Sequence, residues 1–219
     1  MRLTSKQKLR GLYLVADLSL PEQKLIRAVE NAIKGGVQVL EIWNAAKSGE
    51  QSASRICDRI GSIVSKMRIP LIVNNDVNLA ERIGADGIHF DEFHMTAYDA
   101  RKVLGPNAIV GYTCGNNQDM IRKAESFGAD YISFCAVFPS PSVDSCEIVP
   151  LEYVRQAKQT VSVPVFASGG ITLENAQLVL EVGADGLAIA SSILSAQDPE
   201  AMARAFRQII DEYLNARTE

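Results

Sequence analysis

The 219-residue sequence is poor in histidine, tryptophan and cysteine, and it contains no long apolar run. It has two His, one Trp and four Cys. The cysteines (Cys57, Cys114, Cys135 and Cys146) match no zinc-module spacing, and in a chain of this size they read as free thiols rather than a disulfide framework. Whether Cys114, Cys135 and Cys146 are reactive or metal-binding stays open at this level. No segment reaches the roughly 20 apolar residues that a membrane-spanning helix needs. The opening MRLTSKQKLR lacks the apolar stretch of a signal peptide, so the expected location is cytoplasmic. An excess of basic charge is missing too: the formal net charge is −4, which argues against nucleic acid or an anionic membrane as partner.

What is present is an ordinary globular mixture, 47% hydrophobic and 22% charged, long enough for one sizeable core. Short apolar runs at 11–17, 37–43, 70–74, 86–90, 108–112, 130–134, 164–167 and 185–190 alternate with amphipathic stretches. Those fall at 22–34, 51–66, 77–83, 96–103, 117–127, 150–160, 172–182 and 199–215. Near-continuous apolar strands followed by one-sided helices are the pattern of a parallel sheet covered by helices. Eight such units predict an α/β protein with a single (β/α)8 TIM barrel domain over residues 1–219. The triplet Gly-Ala-Asp recurs at 84–86, 128–130 and 183–185, each time between a helix and a strand, as expected of a helix-ending turn.

A barrel places its chemistry in the loops that follow the strands. After strand 7, Ser168, Gly169 and Gly170 precede a helix for which Thr172 is the expected N-cap. After strand 8 come Ser191 and Ser192. Glycines admit an anion close to the backbone and helix starts supply N–H donors, so these two consecutive loops predict a phosphate grip. Carboxylates at the ends of strands 2 and 3, Glu41 and Asp76, would lie close together and invite an acid–base role. A second possibility for the same mouth is a transition-metal site drawing on His89, Asp91, His94, Cys114 and Cys135.

The segments VNNDVNLAERIGADGIHF, GADYISFCAVFPSPS, PVFASGGITLENA and GADGLAIASSIL, in this order and spacing, resemble thiamine phosphate synthase and its relative, the TenI-like thiazole tautomerase. The resemblance implies a transferase of thiamine biosynthesis that joins hydroxymethylpyrimidine diphosphate to thiazole phosphate and releases pyrophosphate with Mg2+. The thiazole nitrogen would attack a carbocation-like pyrimidine methylene. It implies that Gly169, Gly170, Ala190, Ser191 and Ser192 hold the thiazole phosphate, with Asn74, Asn75, Thr113, Ser140 and Ser142 lining the pyrimidine pocket. Asp76 becomes the metal candidate and, with Glu41, the catalytic candidate. The expected partner is a small phosphorylated heterocycle, and the oligomeric state is left open, a homo-oligomer included.

The chain departs from this pattern at several places. Asn75 and His94 stand where the synthase has magnesium-binding Asp residues, and Glu41-Ile42-Trp43-Asn44-Ala45 replaces a Gln-Leu-Arg-Glu-Lys run that holds the diphosphate. Lys47 is the nearest remaining cation, Val143 replaces a further Lys, and both tautomerase histidines are absent, at Gly115 and Ala136. Departing diphosphate is normally stabilised by cations and metal. The alternative expectation is therefore a divergent paralogue that binds a phosphorylated ligand such as thiazole phosphate or thiamine phosphate without coupling it.

Overall fold

A computed structural model describes residues 9–44, 50–140 and 147–216. Eight strands, β1 (Gly11–Asp17), β2 (Val39–Trp43), β3 (Leu71–Asn74), β4 (Gly87–Phe90), β5 (Ile109–Thr113), β6 (Tyr131–Cys135), β7 (Val165–Ser168) and β8 (Gly186–Ile189), close in chain order into a parallel barrel. Closure is made by β8 pairing with β1. The helices α1 (Glu22–Lys34), α2 (Glu50–Met67), α3 (Val77–Arg82), α4 (Ala97–Leu104), α5 (Gln118–Ser126), α6 (Leu151–Thr160), α7 (Ala176–Glu181), the one-turn α8 (Ser191–Leu194) and α9 (Pro199–Ala216) follow the strands. This is the (β/α)8 barrel that the alternation predicts. Among the described residues no helix is long and apolar enough to cross a membrane.

Both faces of each strand are buried, and the core accordingly divides in two. Outward side chains such as Leu12, Leu40, Val73 and Phe134 pack beneath the helices, whereas Tyr13, Val39, Ile72, Tyr131, Phe166 and Ala188 fill the barrel itself. Glycines in the strands make room for the rings inside. A Cβ on Gly111 would lie 2.1 Å from Tyr131 Cζ, and one on Gly186 would lie 2.3 Å from Phe166 Cε1. Those strand positions can hold nothing larger, which is the close-approach role of glycine in a strand.

The Gly-Ala-Asp triplets prove to be staples as well as turns. Gly84, Gly128 and Gly183 end α3, α5 and α7 with φ of +62°, +80° and +107°. The Asp two residues on then accepts a backbone N–H from the strand before it: Asp86 from Leu71 (2.9 Å), Asp130 from Val110 (2.8 Å) and Asp185 from Val165 (2.8 Å). Gly36-Val37-Gln38 does the same with a neutral side chain, Gln38 Oε1 accepting from Leu12 N at 3.1 Å. The barrel is thus pinned in strand pairs 1–2, 3–4, 5–6 and 7–8. Charge-assisted bonds of this kind contribute about 1.5–3 kcal/mol each.

The strands lie within two residues of their expected ends. The clearest difference is α7, which begins at Ala176, not Thr172. Asn175 takes over the loop: its Oδ1 accepts from Thr172 N (2.8 Å) and its Nδ2 donates to Gly170 O (3.0 Å). The side chain three residues into the expected helix folds back on the turn, and so the helix starts later.

Candidate active site

The C-terminal ends of the strands surround a cavity of about 450 Å³, walled by Trp43 and by carboxylates, hydroxyls and the turns after β7 and β8. Its floor is polar although it lies in the barrel interior. Glu41, in the middle of β2 with its side chain turned inward, is only 7% exposed, and His89, inward from β4, is 5% exposed. Burying two ionisable groups requires partners, and they have them. Tyr13 Oη stands 2.6 Å from Glu41 Oε2 and 3.0 Å from Tyr131 Oη. Tyr131 Oη is in turn 3.0 Å from His89 Nδ1, and His89 Nε2 is 2.8 Å from Thr113 Oγ1. A longer 3.5 Å contact joins Thr113 Oγ1 to Asp91 Oδ1 at the mouth. Side chains from β1, β2, β4, β5 and β6 form one continuous hydrogen-bonded chain.

Burial shifts these groups strongly. It pushes the Glu41 carboxyl from 4.5 up to about 8; hydrogen bonds from Tyr13 and Asn74 oppose this, and the charge of Asp91 adds to it. It pushes the His89 imidazole down to about 4 against the pull of Asp91, and it holds Tyr13 and Tyr131 well above the ordinary phenol range. Near neutral pH His89 is an uncharged imidazole and Glu41 is largely a carboxylic acid.

The loop after β3 behaves differently from its reading in the sequence. Asn75, at φ +58°, accepts the Asp91 N–H through Oδ1 (2.9 Å) and donates to Asp91 Oδ2 through Nδ2 (2.8 Å). Asn74 donates to the same oxygen at 3.1 Å. Asp76 is not brought into the cavity: its Oδ1 caps α3 by accepting from Leu79 N at 2.8 Å. Glu41 and Asp76 therefore do not form the pair expected from their strand positions. Besides Glu41, the carboxylates lining the cavity are Asp91 and Glu92, not Asp76.

The donor set does not fit a resident metal. Among the described residues no group of three or more His, Cys, Asp or Glu side chains could hold an ion. Asp76 spends an oxygen as a cap, and the Asn75 amide is oriented by the Asp91 N–H so that its NH2 faces the carboxylate. The Cys/His reading fails on the same grounds. Both ring nitrogens of His89 are engaged, His94 stands edge-on to the Phe90 ring, and Cys114 is buried with its thiol against Met120 O. Burial pushes Cys114 up to about 12 and Cys57 to about 11, so neither is a thiolate near neutral pH. Cys135 lines the cavity, while Cys146 lies outside the described residues.

Across the cavity, Ser168, Gly169, Gly170, Ala190, Ser191 and Ser192 come together as the sequence expects, and all six line it. The two turns are tied to each other by Ser192 Oγ donating to Ile171 O at 2.6 Å, while Ser168 Oγ donates to Phe134 O at 3.2 Å. The Ser168 and Ser192 hydroxyls are thus engaged in structure, while Ser191 and the backbone of the two turns also border the cavity. The glycines are obligatory. Gly169 and Gly170 have φ of +86° and +67°, and a Cβ on Gly170 would lie 2.5 Å from Pro139 O. Asn74, Thr113 and Ser140 also line the cavity; Asn75 does not, and instead bonds to the lining residues Asn74 and Asp91, while Ser142 and Lys47 lie outside the described residues. Among the described lining residues there is no Lys or Arg.

Sequence reasoning placed Asp91 at the mouth but missed Tyr13, Tyr131 and Ser133, which line the cavity. Two inward strand glycines, Gly111 and Gly186, were the available signal that large rings fill the barrel.

Comparison with known proteins agrees with this geometry. Residues 12–193 match the family model described as thiamine monophosphate synthase. The thiamine-phosphate synthase of Thioalkalivibrio sulfidiphilus (strain HL-EbGR7) is 38% identical over 205 residues, covering 90% of this chain and 94% of its own. That of Nitrosococcus oceani is 38% identical over 208 residues, covering 91% and 92%. Among solved structures, thiamine phosphate pyrophosphorylase from Pyrococcus furiosus superposes with a TM-score of 0.80 at 28% identity, over 93% of this chain and 96% of that one. The chain belongs to the thiamine monophosphate synthase family.

Proposed function

We propose that this protein, as one domain over residues 1–219, is a thiamine phosphate synthase: it couples hydroxymethylpyrimidine diphosphate to thiazole phosphate and releases pyrophosphate. The observation that carries this reading is the full-length similarity to proteins of that name, 38% identical over 90% of the chain. The cavity supports it. Backbone N–H groups around Gly169, Gly170, Ala190, Ser191 and Ser192 suit the thiazole phosphate. Opposite them, Trp43, Asn74, Thr113, Ser140 and the Glu41–His89 floor suit a planar, nitrogen-rich ring. A protonated Glu41 whose O–H points to Tyr13 leaves its carbonyl oxygen to accept from that ring.

The charge distribution favours the cationic half of the reaction. Asp91 and Glu92 are negative groups beside the space where a carbocation-like methylene would develop, and stabilisation of that charge is electrostatic. Any magnesium enters as part of the diphosphate substrate, because the described carboxylates are too few to hold the ion in advance. Asp76 acts through the backbone it caps rather than on substrate.

A coupling assay with both substrates and Mg2+ tests the proposal: formation of thiamine phosphate with turnover is expected. Absence of product combined with saturable binding of thiazole phosphate would favour the binding-only paralogue.

A further inference from the structure

The chain Glu41–Tyr13–Tyr131–His89–Thr113 has a property that none of its members has alone. Each hydroxyl carries a single proton, and a neutral imidazole carries one on either nitrogen but not both. Every link from Glu41 to Thr113 is between 2.6 and 3.0 Å, so each must contain one proton. The donor direction at one end therefore sets the direction at every link.

If Glu41 is the acid with its proton on Oε2, it donates to Tyr13, Tyr13 donates to Tyr131 and Tyr131 donates to His89 Nδ1. The imidazole proton must then sit on Nε2 and point to Thr113 Oγ1, whose own proton turns out to Asp91. If Glu41 is ionised, it accepts from Tyr13, Tyr13 accepts from Tyr131, and Tyr131 accepts from His89 Nδ1–H. Nε2 then accepts from Thr113. Passing from the first state to the second moves one proton across each link in the same direction, and a single proton leaves at the Thr113 end to Asp91 and water. No member other than Glu41 changes charge, and every atom retains its normal valence.

We propose that these five residues form a tautomer relay, in which ionisation of Glu41 and the tautomer of His89 change together and reverse the hydrogen bond that Thr113 presents at the mouth. Glu41, Thr113, Tyr13, Tyr131 and His89 all line the cavity. A ligand atom that donates to the other Glu41 oxygen keeps the carboxyl proton on the Tyr13 side and favours a Thr113 hydroxyl turned toward Asp91, whereas one that accepts the Glu41 proton favours Thr113 donating to His89. These are positioning residues, and the relay stands whichever ligand fills the cavity.

The titratable groups facing the relay are Tyr13 from β1, Glu41 itself from β2, His89 and Asp91 from β4 and its loop, Tyr131 and Cys135 from β6, and Glu92 at the mouth. Asp130 acts on Tyr131 from the far end of β6. Of the buried members, the two phenols stay protonated and His89 stays uncharged above about 4, which leaves Glu41, at about 8, to titrate near neutrality. The observed midpoint belongs to the whole relay.

The test is 15N NMR of the imidazoles in the intact protein between about pH 6 and about pH 10, a window set around the raised Glu41 value. There are two histidines, and His94→Gln identifies which signals are those of His89. The expected result is a change of His89 from the Nε2–H to the Nδ1–H tautomer as pH rises, without formation of imidazolium. Glu41→Gln removes the titrating group and Tyr131→Phe cuts the chain, and each should abolish the change. A His89 tautomer constant across the window overturns the relay, and so does the same transition surviving in either variant. A structural role alone would alter melting temperature without coupling tautomer to pH.

Discussion

Asn75 and Asp91 hold each other by two hydrogen bonds, the Asp91 N–H donating to Asn75 Oδ1 at 2.9 Å and Asn75 Nδ2 donating to Asp91 Oδ2 at 2.8 Å. The backbone N–H fixes which end of the amide faces which partner, so position 75 must supply a donor to the Asp91 carboxylate.

Replacing Asn75 by Asp turns that donor into a second carboxylate facing Asp91 Oδ2. Like charges this close raise the pKa of one member, so the variant is destabilised at neutral pH and recovers as pH falls. Thermal melts should show a lowered midpoint, on the order of a few degrees, with the gap to the parent narrowing under acidic conditions.

Glu41 makes the opposite prediction at high pH. Its folded pKa, about 8, lies above the ordinary 4.5, so the native state holds a proton that the unfolded chain releases. Its favourable contribution is complete below about 4.5 and is lost as pH rises through about 8. Glu41→Gln removes this dependence. Unfolding free energies of parent and variant from urea melts should diverge with rising pH in favour of the variant, by an amount on the order of a few kcal/mol.

Gly170→Ala tests the strand-7 turn. The new Cβ would meet Pro139 O at 2.5 Å and Phe138 O at 2.6 Å, both backbone atoms, at a φ of +67° that suits glycine. A stability loss of about 1–3 kcal/mol is expected in denaturant melts. Calorimetric titration with thiazole phosphate should show affinity reduced by roughly tenfold or more, since displacement of the turn moves its N–H groups.

Asp185→Ala removes the staple between β7 and β8 and strands both Val165 N–H and the Lys158 ammonium, which now sits 2.6 Å from the carboxylate. The variant should lose about 2 kcal/mol, and hydrogen exchange at the Val165 amide should accelerate more than at amides of β3.

The fold was legible because its signals are local. Each strand is a short apolar run, and a Gly three residues before β4, β6 and β8 marks the preceding helix end, at Gly84, Gly128 and Gly183. The turns after β7 and β8 were legible for the same reason, since the demand for glycine at 169 and 170 appears in the string. The helix start at Ala176 was not, because Thr172 and Asn175 both have capping chemistry and only the folded turn selects between them. Asp76 and Asp91 look equivalent as letters; the cap formed with Leu79 N takes one and leaves the other facing the cavity.

The sequence by itself determined a parallel eight-stranded barrel with its chemistry after the strands, since hydrophobic period, helix stops and turn glycines act over a few residues. Only the tertiary structure decided what the floor of the site is. Tyr13 and Tyr131 are 118 positions apart and read as ordinary strand core. Closure of β8 onto β1 encloses the interior and brings their hydroxyls within 3.0 Å, with Glu41 and His89 on either side. Hydrogen bonding among groups sealed from water then makes four distant residues one chemical unit, and no local pattern encodes that meeting.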